Sequence, residues 1–117
     1  MEFPQGPMVG REMTSTTFDL PGYRVVHSMG VVRGITVRSA SFGKQFTGAF
    51  KQMVGGEITQ YLEVAEKSRE VAFERMLQHA NALGANAVLG VRYDANEIIA
   101  GSTEVLAYGT AVVVERA

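Results

Sequence analysis

The chain of 117 residues has no cysteine. That excludes disulfides, thiolate-bound zinc, iron–sulfur clusters and a cysteine nucleophile. Small secreted chains often depend on disulfides, so the expectation is a cytoplasmic location. Charge of one sign is also lacking. Eleven Lys and Arg face twelve Asp and Glu, for a formal net charge of −1. No global basic field exists to hold a nucleic-acid backbone, and there is no Lys/Arg run or aromatic-basic interleaving of the kind RNA-binding sheets use. No apolar run approaches the length of a membrane span. The N-terminus has neither a basic nor an apolar region of a signal peptide.

The composition itself, 46% apolar and 20% charged residues, is that of a folded globular chain. Its length predicts one domain with a modest core, for which oligomerisation would be a natural source of stability. Residues 1–12 hold two prolines and two glycines without periodicity. They read as a disordered tail or a leftover of cloning, with the domain over 13–117.

Asp19 to Gly22 is a turn signal, with Pro21 and Gly22 at its corners. Two β-branched runs follow, Tyr23 to Ser28 and Val31 to Arg38, which form two strands or one bent strand. Gly34, inside the second, suggests a bulge or a close backbone approach. Ser39 to Ser41 offers N-cap residues, and Phe42, Phe46, Ala49, Phe50 and Met53 recur at helical spacing. The phenylalanine face suits a core or a subunit interface. A longer helix runs from about Ile58 to Leu83, with an apolar stripe of Leu62, Ala65, Ala72, Met76, Ala80 and Leu83 widened by Phe73 and Leu77. Gly84 fits its left-handed C-cap. Ala87 to Tyr93 is a strand with few polar positions, Asp94 to Asn96 starts a turn, and Thr103 to Val114 is the last strand. The order β-β-α-α-β-β predicts an α+β fold, with two helices on one face of an antiparallel-rich sheet.

Several segments together resemble one family. They are Gly30-Val-Val-Arg-Gly34, Gly55-Gly56 followed by Tyr61, Ala65-Glu-Lys-Ser-Arg-Glu-Val-Ala-Phe-Glu74, Ala82-Leu-Gly-Ala-Asn-Ala-Val-Leu-Gly90 and Gly109-Thr-Ala-Val112. From about Thr16 to the C-terminus the chain is similar to the YbjQ-like family, which carries a heavy-metal-binding label. The resemblance implies an α+β domain that assembles with itself into a ring, typically a homopentamer. It implies no enzyme activity and supplies no metal-ligand motif.

Metal ligands are therefore sought among the residues themselves. Soft heavy metals prefer thiolates, which are absent. Glu66, Glu70 and Glu74, four apart on one helix face, could share a hard divalent cation, and a ring would bring several such ladders together. Against this, Lys67 and Arg69 neutralise the ladder. His27 in the first strand is the remaining weak candidate, while His79 complements the helix dipole near its C-terminus. Asp94, Asn96 and Glu97 form a short oxygen-rich cluster whose ordinary reading is a turn. Gly55-Gly-Glu-Ile-Thr59 precedes a helix and could hold an anion, though a helix–helix turn explains it as well.

No nucleophile elbow is present. The expected function is thus a non-enzymatic oligomeric binding domain that takes a metal ion or small ligand at subunit boundaries. Two alternatives stand beside it. One is a small hydrolase or isomerase with Asp94, Glu97 and His27 as acid–base groups assembled between subunits. The other is a ring whose role is purely structural.

Overall fold

The computed structural model describes residues 9–38 and 57–117. Strand β1 spans Tyr23–Arg38, helix α1 Glu57–Ala82, β2 Ala87–Ile99 and β3 Ser102–Arg116. The three strands form one antiparallel sheet in the order β1-β3-β2. The fold is α+β, as the sequence predicts. Of the two readings left open for the N-terminal runs the structure takes the single bent strand, so the order has one strand before the helix. Bulges between Val25 and His27 and between Ser28 and Gly30 bend it without breaking it. The described residues hold one α-helix. The other expected helix, with Phe42, Phe46 and Phe50, lies outside them, as does Gly55-Gly56.

The expected turn at Asp94 to Asn96 is a correction. Those residues continue β2, pairing with Leu106, Val105 and Glu104 of β3. The chain reverses only at Ala100-Gly101, where Gly101 takes φ 80°. Asp and Asn suit turns, but here the β-branched partner strand holds them in the ladder.

One face of the sheet packs on α1. Ala72, Met76 and Ala80 are fully buried, with Phe73 and Leu77 beside them, against Val32, Val88, Val91, Val105, Ala107 and Ala111. This is the predicted stripe, cut short at both ends. Leu62 is exposed, and Leu83 falls past the helix and is largely exposed. Gly34 carries no bulge. It is the close approach: a Cβ there would lie 2.0 Å from the carbonyl oxygen of Ala72 and 2.3 Å from the amide of Met76. The helix backbone rests directly on the strand.

Side chains of α1 fasten this contact along the outer edge of β1. Arg75 donates to the carbonyl of Ile35 at 2.6 Å, His79 Nδ1 accepts the Arg33 amide at 3.2 Å, and Arg38 Nε donates to the buried Ser68 hydroxyl at 2.6 Å. The helix stops as predicted. Gly84 has φ 84°, its amide bonds to the Asn81 carbonyl, and the Ala85 amide bonds to that of Ala80. That is the Schellman arrangement, with Ala80 and Ala85 both in the core.

The opposite face buries a smaller cluster of Ala87, Leu89, Val112 and Val114 beneath Met13, Leu20 and Tyr23. Ala87 to Leu89 is thus buried on both faces, as its lack of polar positions implies. Asn86 extends the ladder with its side chain, accepting the Val114 amide at 2.8 Å and donating to the Val114 carbonyl at 2.9 Å. Residues 14–17 run beside β2. The Ser15 amide bonds to Val88, and the amides of Gly90 and Val91 bond to Thr17 and Ser15. Packing also begins before the expected boundary at Met13: Val9 is buried in the main core, and Arg11–Met13 form a 3-10 turn.

Candidate functional site

Helix α1 lies mainly over β1, less over β3 and scarcely over β2. Beside it the β2 end of the sheet is left open, as a groove of about 750 Å³ between the N-terminal half of the helix and Tyr93. Strand alternation sets that tyrosine on the helix face, since it pairs with the fully buried Ala107. Its ring stacks on Phe73, with centroids 6.4 Å apart and planes inclined by 27°. The Arg69 guanidinium lies 5.6 Å above the Tyr93 ring, and that of Arg11 lies 4.6 Å above Phe73. Arg11 also closes an ion pair with Glu70. Glu63, Glu66 and Lys67 complete the polar wall, and Leu62 adds an apolar patch.

Burial pushes the Tyr93 phenol above its ordinary range. The Arg11 and Arg69 guanidiniums oppose that shift, and the Glu66 carboxylate adds to it. At neutral pH the hydroxyl is therefore a proton-bearing donor on an aromatic floor between two cations. Such a surface binds by stacking and by charge-assisted hydrogen bonds. Nothing in the groove is arranged as nucleophile and base.

The structure distributes the predicted site residues unevenly. Glu66 and Glu70 face the groove, but Arg11 neutralises Glu70. Glu74 is exposed and outside the groove lining. His27 is exposed far away on β1, its Nδ1 3.2 Å from the Val26 carbonyl. Among the described residues no three His, Asp or Glu side chains converge to hold a metal ion. The groove supplies carboxylate oxygens without sulfur or imidazole, a donor set that suits hard cations rather than heavy ones.

The acid–base trio does not meet within one chain. His27 pairs with Val113, whereas Asp94 pairs with Leu106 on the far side of β3. Seven positions along β3 correspond to about 23 Å. Asp94 Oδ1 accepts the Ala95 amide at 3.0 Å, Asn96 donates to Asp94 at 3.2 Å, and Glu97 accepts the Gly101 amide at 3.1 Å. These are local contacts of an exposed strand end.

Sequence reasoning missed Arg11 and Tyr93. Arg11 sits in a stretch rich in glycine and proline that looks like a tail, and only the isolated apolar Val9 hints at packing. Tyr93 is legible afterwards from its alternation with Val91.

The described residues form a small α+β fold, with one helix laid across a three-stranded antiparallel sheet and a mixed-charge groove beside it. The chain belongs to the YbjQ-like family. Residues 13–115 match the family model described as "Putative heavy-metal-binding". A UPF0145 protein of Chromobacterium violaceum is 53% identical over 108 residues, covering 92% of each chain. A UPF0145 protein of Sulfurisphaera tokodaii is 50% identical, over 89% of this chain and 91% of its own. A crystal structure of a DUF74-family protein of unknown function from Pediococcus pentosaceus shares the fold. Its TM-score is 0.56 at 16% identity, over 87% of this chain and 96% of that one. No described helix is long and apolar enough to cross a membrane.

Proposed function

We propose that the protein is a non-enzymatic binding domain that works as a homo-oligomer and takes its ligand where subunits meet. The observation that carries this reading is the groove. It is open on the β2 side, and its aromatic floor and charged wall make half of an enclosure that a neighbouring copy would complete. A pentameric ring is the form we favour, on the strength of the family resemblance. The groove favours a small ligand with both anionic and cationic groups, matched to the cations of Arg69 and Lys67 and the carboxylates of Glu63 and Glu66. A heavy metal fits these residues poorly, and we assign no step to one.

Native mass spectrometry of the purified protein, before and after chelator and with added divalent metals, tests this reading. The expected result is an assembly whose mass chelator does not change. Stoichiometric metal removed by chelator would restore the family description as the function and direct attention to Glu66, Glu70, Glu74 and His27. A monomer would end the oligomeric reading.

A further inference from the structure

One cation in the groove is a side chain that returns from the N-terminal stretch. The Arg11 guanidinium lies 4.6 Å above the Phe73 ring and donates to both carboxylate oxygens of Glu70. A carboxylate beside an aromatic face is a seat for a guanidinium. The carboxylate accepts from its N–H groups, and the ring quadrupole attracts its flat, spread charge. The backbone under Arg11 is fixed separately from that side chain. Val9 is buried in the main core. The Arg11 carbonyl accepts the Thr14 amide at 3.1 Å and the Thr14 hydroxyl at 2.7 Å. The ion pair, by contrast, is open to water, with side chains 58% and 37% exposed. Such a pair holds weakly. Rotation of the Arg11 side chain alone would empty the seat and leave the turn and the core in place.

The floor leads from this seat to cations of the opposite kind of use. The Phe73 and Tyr93 centroids are 6.4 Å apart, a span that a short alkyl chain bridges. At the Tyr93 end stands Arg69, with Lys67 on the same wall. Among the described residues neither of these two makes an ion pair. The groove therefore offers a guanidinium seat at one end and cations without a carboxylate at the other.

We infer that Glu70 and Phe73 form a guanidinium subsite, that Arg11 is its resident occupant, and that the groove takes a guanidino acid, which displaces Arg11 by side-chain exchange. The inference rests on the groove reading above and names its ligand class and its guard. The guanidinium of the ligand replaces that of Arg11 on Glu70 and Phe73, and its carboxylate meets Arg69 and Lys67. Competition then sets selectivity. A lone cation gains only what Arg11 already has, and Arg11 is tethered at high effective concentration. A guanidino acid adds the second contact.

Isothermal titration calorimetry of the full chain with L-arginine and with L-citrulline tests this, since citrulline carries a neutral urea in place of the guanidinium. The wild type is expected to take L-arginine and to prefer it to L-citrulline. Arg11→Ala, folded by circular dichroism, is expected to bind L-arginine about two- to sixfold more tightly, the gain that release of a weak exposed ion pair allows. Glu70→Gln is expected to bind the two amino acids alike. If the wild type binds both equally, or Arg11→Ala binds L-arginine no more tightly, the subsite is overturned while the groove reading stands. If neither amino acid binds to the wild type or to Arg11→Ala, the subsite and the zwitterionic ligand of the groove reading fall together.

Discussion

Replacing Gly34 by alanine tests the close approach of helix and strand. The new methyl carbon would stand 2.0 Å from the Ala72 oxygen, 2.3 Å from the Met76 nitrogen and 2.8 Å from the Arg75 carbonyl carbon. All three are backbone atoms, so no side-chain rotation relieves the clash. The helix has to retreat by roughly 1 Å over an interior packed at crystal-like density. That retreat loosens the contacts of Ala72 and Met76, both fully buried, and lengthens the bonds from Arg75 and His79 to β1. Overpacking of a core costs about 1–3 kcal/mol, and a clash with rigid backbone belongs at the upper end. We expect a loss of about 3 kcal/mol, against a total of roughly 5–15 kcal/mol for a domain. The corresponding fall in Tm is about 10 °C. Urea unfolding followed by circular dichroism measures it. Gly30→Ala is the control: nothing lies within 4 Å of the added carbon, but φ is +102°, so only the backbone penalty of about 1–2 kcal/mol applies. A Gly34→Ala variant within 0.5 kcal/mol of wild type, on the order of ordinary surface substitutions, would refute the close approach.

Met76→Ala empties a fully buried site and should cost about 2–5 kcal/mol in the same unfolding experiment. Asn86→Ala removes both bonds to Val114 and should cost about 1–2 kcal/mol, with hydrogen exchange rising first at Val114. Arg11→Ala breaks an exposed ion pair and the contact over Phe73, so the expected loss is only about 1 kcal/mol. The Tyr93 phenol is raised by burial, so the folded state holds its proton more tightly than the unfolded chain does. Its contribution to stability is complete below the ordinary phenol range and declines as pH climbs through the raised value. Tyr93→Phe should remove that part of the alkaline decline in urea midpoints, and an unchanged pH profile would count against it.

Much of the fold is legible in the sequence because periodicity records burial directly. The stripe through Ala72, Met76 and Ala80, the cap at Gly84 and the doubly buried Ala87 to Leu89 are all readable from spacing. The errors arise where local preference meets a partner far along the chain. Asp94 and Asn96 look like a turn until β3 pairs with them, and spacing alone leaves open whether Met29-Gly30 breaks or bends the first strand, which the bulge settles as a bend. The groove is less legible still. It depends on the sideways offset of α1 over the sheet and on Arg11 returning from the N-terminal stretch, and neither leaves a periodic trace. The metal candidates illustrate the same limit. Carboxylates four apart do share a helix face, but the sequence gives no sign that Arg11 neutralises one of them.

The seat of the helix on Gly34 works as a notch. Gly34 leaves a gap at the point where Ala72 and Met76 cross that face of β1, so the helix cannot slide along the strand without striking Val32 or Thr36. Register between helix and strand is thus held at a single keyed position, with Arg75 and His79 as pins on either side. The connection between the two elements need not carry that information.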